Sequence, residues 1–105
     1  MTAKEFIMSL PDRVQQDTIQ DKETNFHFDI AGEEGGQYTV EIKDGKVEAK
    51  EGLHGEPKCT VKGKDKDLMG VVSGKTNAMM ALLTGKIKID NQGEMLKYAK
   101  VFGLM

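Results

Sequence analysis

Few side chains in this sequence could act as a nucleophile, a general base or a metal ligand. Its one cysteine is Cys59, and its two histidines are His27 and His54. A cysteine beside a histidine could support acyl transfer, and closely spaced histidines could hold zinc. Cys59 has the pattern of a core strand residue, His27 is predicted on the polar face of its strand, and His54 lies in a glycine-bounded loop. We therefore expect no enzyme, no metal site and no cofactor.

One short motif, Gly52-Leu53-His54-Gly55, has the Gly-x-x-Gly pattern of the KH loops that bind RNA. It lacks basic flanking residues, and it falls between two predicted strands rather than two helices. The chain has a net charge of −2, and it has neither a dinucleotide fingerprint nor a phosphate-loop motif. The sequence therefore predicts no nucleic-acid partner.

Charge is distributed unevenly along the chain. Residues 1–57 hold 6 Lys and Arg against 13 Asp and Glu, whereas residues 58–105 hold 9 against 4, so the halves carry −7 and +5. These charges could simply be the solvated faces of ordinary strands and helices. Alternatively, the lysines of the second half could face anionic lipid headgroups or acyl-CoA phosphates. The only arginine is Arg13, so no arginine cluster indicates phosphate clamps.

Composition favours a single domain over residues 1–105 in the cytoplasm. The length is too short for two cores, and no apolar run approaches the ~18 residues of a membrane span. The N-terminus lacks the long apolar core of a secretion signal, and a lone cysteine cannot form an internal disulfide. Both features favour a reducing, intracellular compartment.

The sequence predicts a first helix and then a run of strands. Thr2 and Glu5 form a capping box, an apolar stripe follows, and Pro11 is expected to end the helix or to begin a second short turn. Alternation and the Asp44-Gly45 hairpin signal then predict four antiparallel strands joined by hairpins. Their inward residues are Phe26, Phe28 and Ile30, then Tyr38, Val40 and Ile42, then Val47 and Ala49, and finally Cys59 and Val61.

Two short helices, a fifth strand and a last helix are predicted in the second half. The first helix has Asp65 as its expected N-cap and Gly74 at its C-terminal end. The next helix begins near Asn77, ends at Gly85, and has no charged residue from Thr76 to Gly85, so we expect it to lack a face for water. The fifth strand is 86–90. The last helix begins near Asn91, has Glu94 at its third position, and is expected to end at Gly103.

These elements predict a two-layer α+β fold in which helices cover the apolar face of the sheet. The residues Met79, Met80, Leu82 and Leu83 fill more than one helical stripe, so something besides the sheet should cover the remainder. The candidates are the last helix with its tail (Met95, Tyr98, Phe102, Leu104 and Met105), a partner chain, or a bound apolar ligand. Five of the 7 methionines lie on the predicted helical layer, and without the resemblance described below they would be interpreted as core residues: Met69, Met79, Met80, Met95 and Met105.

Several short motifs follow one another in the second half of the chain: Cys59-Thr60-Val61, Asp67-Leu68, Ser73-Gly74-Lys75, Asn77 and Thr84-Gly85-Lys86-Ile87-Lys88-Ile89. Their order resembles the sterol carrier protein family, the SCP-2-type lipid-binding domains. The resemblance covers almost the whole chain and is densest over residues 56–101. It implies a five-stranded, mostly antiparallel sheet covered on one face by helices, with an apolar tunnel between the layers.

The resemblance also implies what the chain does. Members take sterols, fatty acids, fatty acyl-CoA or phospholipids in the tunnel and have no catalytic residues. We therefore expect a monomeric lipid-transfer protein of broad specificity that meets a membrane surface transiently through Lys75, Lys86, Lys97 and Lys100. The tunnel residues implied are Phe26, Phe28, Leu68, Val72, Met79, Met80, Leu83, Met95, Phe102 and Met105.

Two features distinguish this chain from many members, and one alternative stays open. The sequence ends Phe102-Gly103-Leu104-Met105, which is no peroxisomal address, and it carries no fused enzyme domain, so we expect a stand-alone cytoplasmic protein. The alternative is a protein-interaction or dimerisation module whose apolar helix and Met-rich C-terminus pack on a partner chain.

Overall fold

A computed structural model describes residues 1–102, apart from the side chain of Gln16. Five strands form one open sheet in the order β3-β2-β1-β4-β5. Strands β1 and β4 are parallel, and the other three pairs are antiparallel. The strands are β1 (Thr24–Ala31), β2 (Gly36–Lys43), β3 (Lys46–Glu51), β4 (Cys59–Lys64) and β5 (Ile87–Ile89).

The sheet is mostly antiparallel, as predicted, but the prediction that its first four strands are antiparallel neighbours joined by hairpins is wrong. After β3 the chain crosses the outer face of β2 and β1 and enters the sheet beside β1. Backbone bonds hold this crossing, from Gly52 N–H to the carbonyl of Gln37 (2.7 Å) and from Lys58 N–H to that of Asn25 (2.8 Å). Alternation along a strand identifies its buried face but not its neighbour, so the sequence left this order undetermined.

Helix α1 (Ala3–Arg13) packs over β3 and β2. Its capping box is confirmed, since the Glu5 N–H donates to Thr2 Oγ1 (3.1 Å) and the Thr2 N–H to Glu5 Oε1 (2.9 Å). The expected break at Pro11 is wrong, because the helix continues to Arg13. Proline in the last turn removes only one helical bond, and the Val14 N–H still reaches the Leu10 carbonyl at 2.9 Å. A short 3₁₀ turn (Gln16–Thr18) follows.

Helix α2 (Asp65–Val72) begins one residue earlier than predicted. Lys64 is its N-cap, and Asp65 is the first helical residue. The Asp65 carboxylate accepts the N–H of Lys66 (2.8 Å) and, from the β1–β2 turn, the N–H of Glu34 (2.9 Å). It therefore ties that turn to the start of α2, and a Cβ at Gly32 would collide with it. The predicted glycine after the helix is confirmed at Gly74, with φ of 81°.

Helices α3 (Ala78–Leu83) and α4 (Gln92–Tyr98) begin as predicted. The side chain of Asn77 accepts the N–H of Met79 (2.8 Å), and that of Asn91 accepts the N–H of Glu94 (3.1 Å). The regular part of α4 ends at Tyr98, and the expected end at Gly103 lies outside the described residues.

The resulting architecture is the predicted α+β arrangement, with helices packed on the apolar face of the sheet. The implied tunnel is not seen among residues 1–102, where the space between the layers is a cleft. No helix in this part of the chain is long and apolar enough to cross a membrane.

Candidate functional site

An apolar cleft of about 350 Å³ lies between the sheet and helices α2, α3 and α4. Among the described residues a single polar side chain, Asn77, contributes to its lining, so the cleft offers apolar contact and few hydrogen bonds. The remaining lining residues are Phe28, Val61, Leu68, Val71, Ala78, Met79, Leu82, Ile87, Ile89, Met95, Leu96 and Ala99.

The floor of the cleft comes from β1, β4 and β5. Val61 on β4 lies opposite Ile89 on β5, and Phe28 on β1 is the parallel neighbour of Val61. Alternation along each strand places these side chains on the helical face. Phe28 and Val61 are almost fully buried, and Ile89 is half-buried.

The walls come from the helices, and two of their residues mark the opening. Leu68 on α2 and Met95 on α4 are buried against the sheet. Met79 on α3 and Leu96 on α4 line the same cleft, yet they are 60% and 64% exposed. The mouth therefore lies between α3 and α4, where a ligand can enter without unfolding the sheet.

Four of the ten residues predicted to line a tunnel lie in the cleft, namely Phe28, Leu68, Met79 and Met95. Phe26 does not, although it shares a strand face with Phe28. Its ring is covered edge-on by Tyr98 (centroids 5.6 Å apart) and Phe102 (5.1 Å), so these aromatic side chains fill the space beside the cleft. Phe102 is 2% exposed in that cluster.

The other predicted tunnel residues within residues 1–102 also lie outside the cleft lining. Val72 is half-buried on α2. Met80 and Leu83 are 54% and 74% exposed on the outer side of α3. The prediction that this helix lacks a face for water is therefore wrong. Met105 lies outside the described residues.

Sequence reasoning assigned no ligand role to nine lining residues, although a signal existed for some of them. The alternation that identified Val61 and Ile89 as inward strand residues also placed them beneath the helices. The helical residues could not be chosen in this way, because the rotation of α3 over the sheet decides that Leu82 faces inward and Leu83 outward. These nine residues are Val61, Val71, Asn77, Ala78, Leu82, Ile87, Ile89, Leu96 and Ala99.

The four lysines predicted to contact headgroups are all exposed: Lys75, Lys86, Lys97 and Lys100. Lys97 forms a weak ion pair with Glu94 (3.8 Å). Lys86 borders a surface depression on the outer face of the sheet, away from the cleft, together with Lys62, Lys64 and Lys88. Lys62 and Lys88 are direct cross-strand neighbours. The structure thus places the lysines of β4 and β5 on the outer face of the sheet, where Asp29 and Asp67 line the same depression.

Cys59 is fully buried on β4, and burial raises the pKa of its thiol from 9.0 to about 11. The Sγ atom lies 3.5 Å from the carbonyl of Asn91. A thiol of this kind is protonated at neutral pH and has no access to a substrate. No group of three or more His, Cys, Asp or Glu side chains within residues 1–102 is placed to hold a metal ion.

The two histidines meet on the outer face of the sheet, where His54 lies in the loop that crosses it and His27 lies beneath that loop on β1. His27 was predicted on a solvated polar face, but it is 7% exposed because this loop covers it. Its Nε2 lies 2.9 Å from the carbonyl of His54, while His54 N–H donates to Thr39 Oγ1 (2.8 Å). The KH-like Gly-x-x-Gly segment is thus held against the sheet between two strands.

The sequence of residues 4–105 matches the family model described as the SCP-2 sterol transfer family. The chain belongs to this family. This SCP-2 chain is 27% identical over 104 residues to hydroxysteroid dehydrogenase-like protein 2 of Xenopus tropicalis. That match covers 97% of the chain but 25% of the relative, so the chain spans about a quarter of the curated protein it matches.

Solved structures share the SCP-2 fold. The solution structure of sterol carrier protein domain 2 of Helicoverpa armigera has a TM-score of 0.74 and 24% identity, covering 93% of this chain and 80% of that one. Palmitated SCP2L2 from Aedes aegypti has a TM-score of 0.71 and 22% identity, covering 97% and 95%. The sec-alkylsulfatase Pisa1 from Pseudomonas sp. has a TM-score of 0.78 at 20% identity, and the match covers all of this chain but 16% of the enzyme. Lipid binding and transfer is therefore supported at the level of the family.

Proposed function

We propose that the chain is a cytoplasmic, monomeric carrier that holds one lipid in the cleft and transfers it between membranes. The observation that carries this proposal is the apolar cleft, with one polar side chain of the described residues in its lining, in a member of a lipid-transfer family. A volume of about 350 Å³ lies at the lower end of the ~300–1,000 Å³ typical of small-molecule sites. Long-chain fatty acids, fatty acyl-CoA, sterols and phospholipids are the ligand classes.

Apolar burial provides enough free energy for this role. A sixteen-carbon acyl chain gains about 12 kcal/mol at ~0.8 kcal/mol per methylene. Association and ordering oppose binding by about 4 kcal/mol or more. The difference corresponds to a dissociation constant on the order of micromolar. Such affinity permits both uptake and release.

Broad specificity follows from the lining. Within residues 1–102, Asn77 is the single hydrogen-bonding side chain of the lining, and no charged side chain contributes to it. Discrimination between headgroups requires buried polar partners that one ligand satisfies and another does not. We therefore expect ligands of similar apolar volume to compete with one another. A catalytic role has no support from Cys59, which is buried and protonated at neutral pH.

The experiment is a titration of purified, delipidated protein with a fluorescent long-chain fatty acid, followed by competition with unlabelled fatty acid, acyl-CoA, phospholipid and sterol. Wild type should bind saturably at one site. Ala78→Leu adds bulk to the cleft lining and should weaken binding by about tenfold, because overpacking commonly costs ~1–3 kcal/mol. Ala49→Leu is the matched control, since Ala49 is equally half-buried but lies on β3 away from the cleft.

The alternative function is a dimerisation or protein-interaction module, and the exposure of Met80 and Leu83 favours it. It predicts twice the monomer mass in solution and no saturable binding of any lipid probe. One-to-one binding by a monomer would exclude it.

A further inference from the structure

Exposed apolar side chains concentrate on α3 and its neighbour α4. Within residues 1–102, seven large hydrophobic side chains are exposed, and four of them are Met79, Met80, Leu83 and Leu96. The other three, Met1, Met8 and Leu53, come from the N-terminal region and the crossing loop. Such a concentration indicates a contact surface rather than scattered exposure.

Helical geometry makes three of these residues a single face. Positions 79, 80 and 83 fall within about 100° of arc around an α-helix, while Ala81 is buried against the protein. Helix α3 has six residues, so its length of about 9 Å is too short to cross a bilayer but suits a position in the interface. Met79 also lines the cleft, so this face is continuous with the mouth of the cleft.

The charges around the face are positive. No acidic residue occurs from Thr76 to Gly85, and Lys75, two residues before the N-cap of α3, is exposed. Lys86, which follows the helix, lies on the outer face of the sheet and is not part of this border. Lys97 and Lys100 lie on the C-terminal side of Leu96. Lysines at the border of an apolar face can extend to phosphates while their methylene stems stay in apolar surroundings.

Two other interpretations of this face fit less well. Helix α1 has Lys4, Glu5, Asp12 and Arg13 on its exposed side, with Met8 as its one large exposed hydrophobic, so an anionic surface gains little there. An antiparallel pairing of two copies of α3 would place Lys75 of each copy beside a stretch, from Thr76 to Gly85, that offers no acidic partner. An anionic bilayer complements both the apolar and the charged part of the face.

We propose that α3 is the membrane-docking element of this protein, with Met79, Met80 and Leu83 entering the headgroup region of an anionic bilayer and Lys75 and Lys100 contacting lipid phosphates. Docking in this orientation turns the mouth of the cleft towards the membrane. This inference rests on the proposed transfer function and names the surface that performs it. The opening for lipid exchange is then the mouth of the cleft between α3 and α4, on the side of the protein that faces the membrane.

The first test is co-sedimentation with phosphatidylcholine vesicles with and without phosphatidylserine. The variant Met80→Ser/Leu83→Ser changes two exposed residues that do not line the cleft. We expect its association with the anionic vesicles to fall by about tenfold or more, with solution binding of fatty acid unchanged. The matched control is Met8→Ser/Leu53→Ser, which removes exposed apolar groups elsewhere and should bind vesicles like wild type.

The second test reverses charge. Lys75→Glu/Lys100→Glu should abolish the preference for phosphatidylserine, whereas Lys43→Glu/Lys46→Glu at the β2–β3 hairpin should retain it. Added salt should weaken vesicle association of the wild type and have less effect on Lys75→Glu/Lys100→Glu.

Equal vesicle association by Met80→Ser/Leu83→Ser and wild type would overturn the inference. So would a wild-type dimer that this variant converts to monomer, since the face would then bind a second copy. A third outcome separates the two proposals. If Met80→Ser/Leu83→Ser associates with vesicles less than wild type does, while neither wild type nor this variant binds any lipid probe in solution, docking by α3 is supported and the carrier function fails.

Discussion

At the scale of single residues, Phe26 and Phe28 show both the power and the limit of sequence reasoning. Alternation places both on the inner face of β1, and the structure agrees. Only Phe28 reaches the cleft, because Tyr98 and Phe102 cover Phe26. Phe26 is covered by Tyr98 and Phe102, which lie more than 70 positions later in the sequence. No local pattern indicates which of the two phenylalanines these distant residues cover.

Asp65 was predicted to cap α2, and the structure gives it a wider role. It joins α2 to the β1–β2 turn by accepting the Glu34 and Lys66 N–H groups. We expect Asp65→Ala to lower the free energy of unfolding by about 1–3 kcal/mol, since two part-buried N–H groups lose their charged acceptor. Urea denaturation followed by circular dichroism measures this.

Asp67→Ala is the control for that experiment, because Asp67 lies in the same first turn and has no side-chain hydrogen bond within the described residues. It should cost less than about 1 kcal/mol. Equal losses in the two variants would mean that the helix dipole, and not the contact with the turn, explains the effect.

At the scale of elements, the starts of the helices and the inner faces of the strands were predicted well, whereas the end of α1, the exposed side of α3 and the neighbours of the strands were not. The N-caps Asn77 and Asn91 and the terminal Gly74 are local signals, so the sequence contains them. The parallel pairing of β1 with β4 depends on the route of a loop across the sheet. Capping and periodicity concern a few adjacent residues, whereas the position of a strand in a sheet is settled by the whole core.

The glycine that follows α2 gives an element-scale prediction. Gly74 has φ of 81°, and a Cβ atom added there would meet no other atom within 4 Å, so alanine at this position encounters backbone strain alone. Gly74→Ala should lower stability by about 1 kcal/mol. Gly93→Ala, inside α4 with an ordinary 3.7 Å contact, should instead raise it by about 0.5–1 kcal/mol.

Thermal unfolding of both glycine variants, measured beside wild type, checks this pair. Unchanged or increased stability of Gly74→Ala would show that the left-handed conformation at Gly74 does not limit the choice of residue. The comparison also tests the end of α2, on which the position of Leu68 and Val71 in the cleft wall depends.

At the scale of the whole molecule, the family, the layers and the apolar face of the sheet could be predicted from the order of short motifs and from alternation. The cleft could not be outlined, because its wall is set by how α3 lies on β5. An entirely uncharged sequence between Thr76 and Gly85 does not say which side chains face the sheet. The structure answers that Ala81 is buried, Leu82 lines the cleft, and Met80 and Leu83 face solvent.

If a lipid binds in the cleft between the sheet and helices α2, α3 and α4, as we propose, the NMR signals of the methionine methyl groups in its lining should respond directly. Met79 and Met95 line the cleft, whereas Met1 and Met8 are exposed far along the sequence from it. The decisive measurement is an NMR titration of methyl-labelled methionine with a long-chain fatty acid below its micellar concentration. We predict saturable one-to-one shifts of Met79 and Met95 with Met1 and Met8 unchanged. Unchanged Met79 and Met95 at saturating ligand would contradict the carrier function.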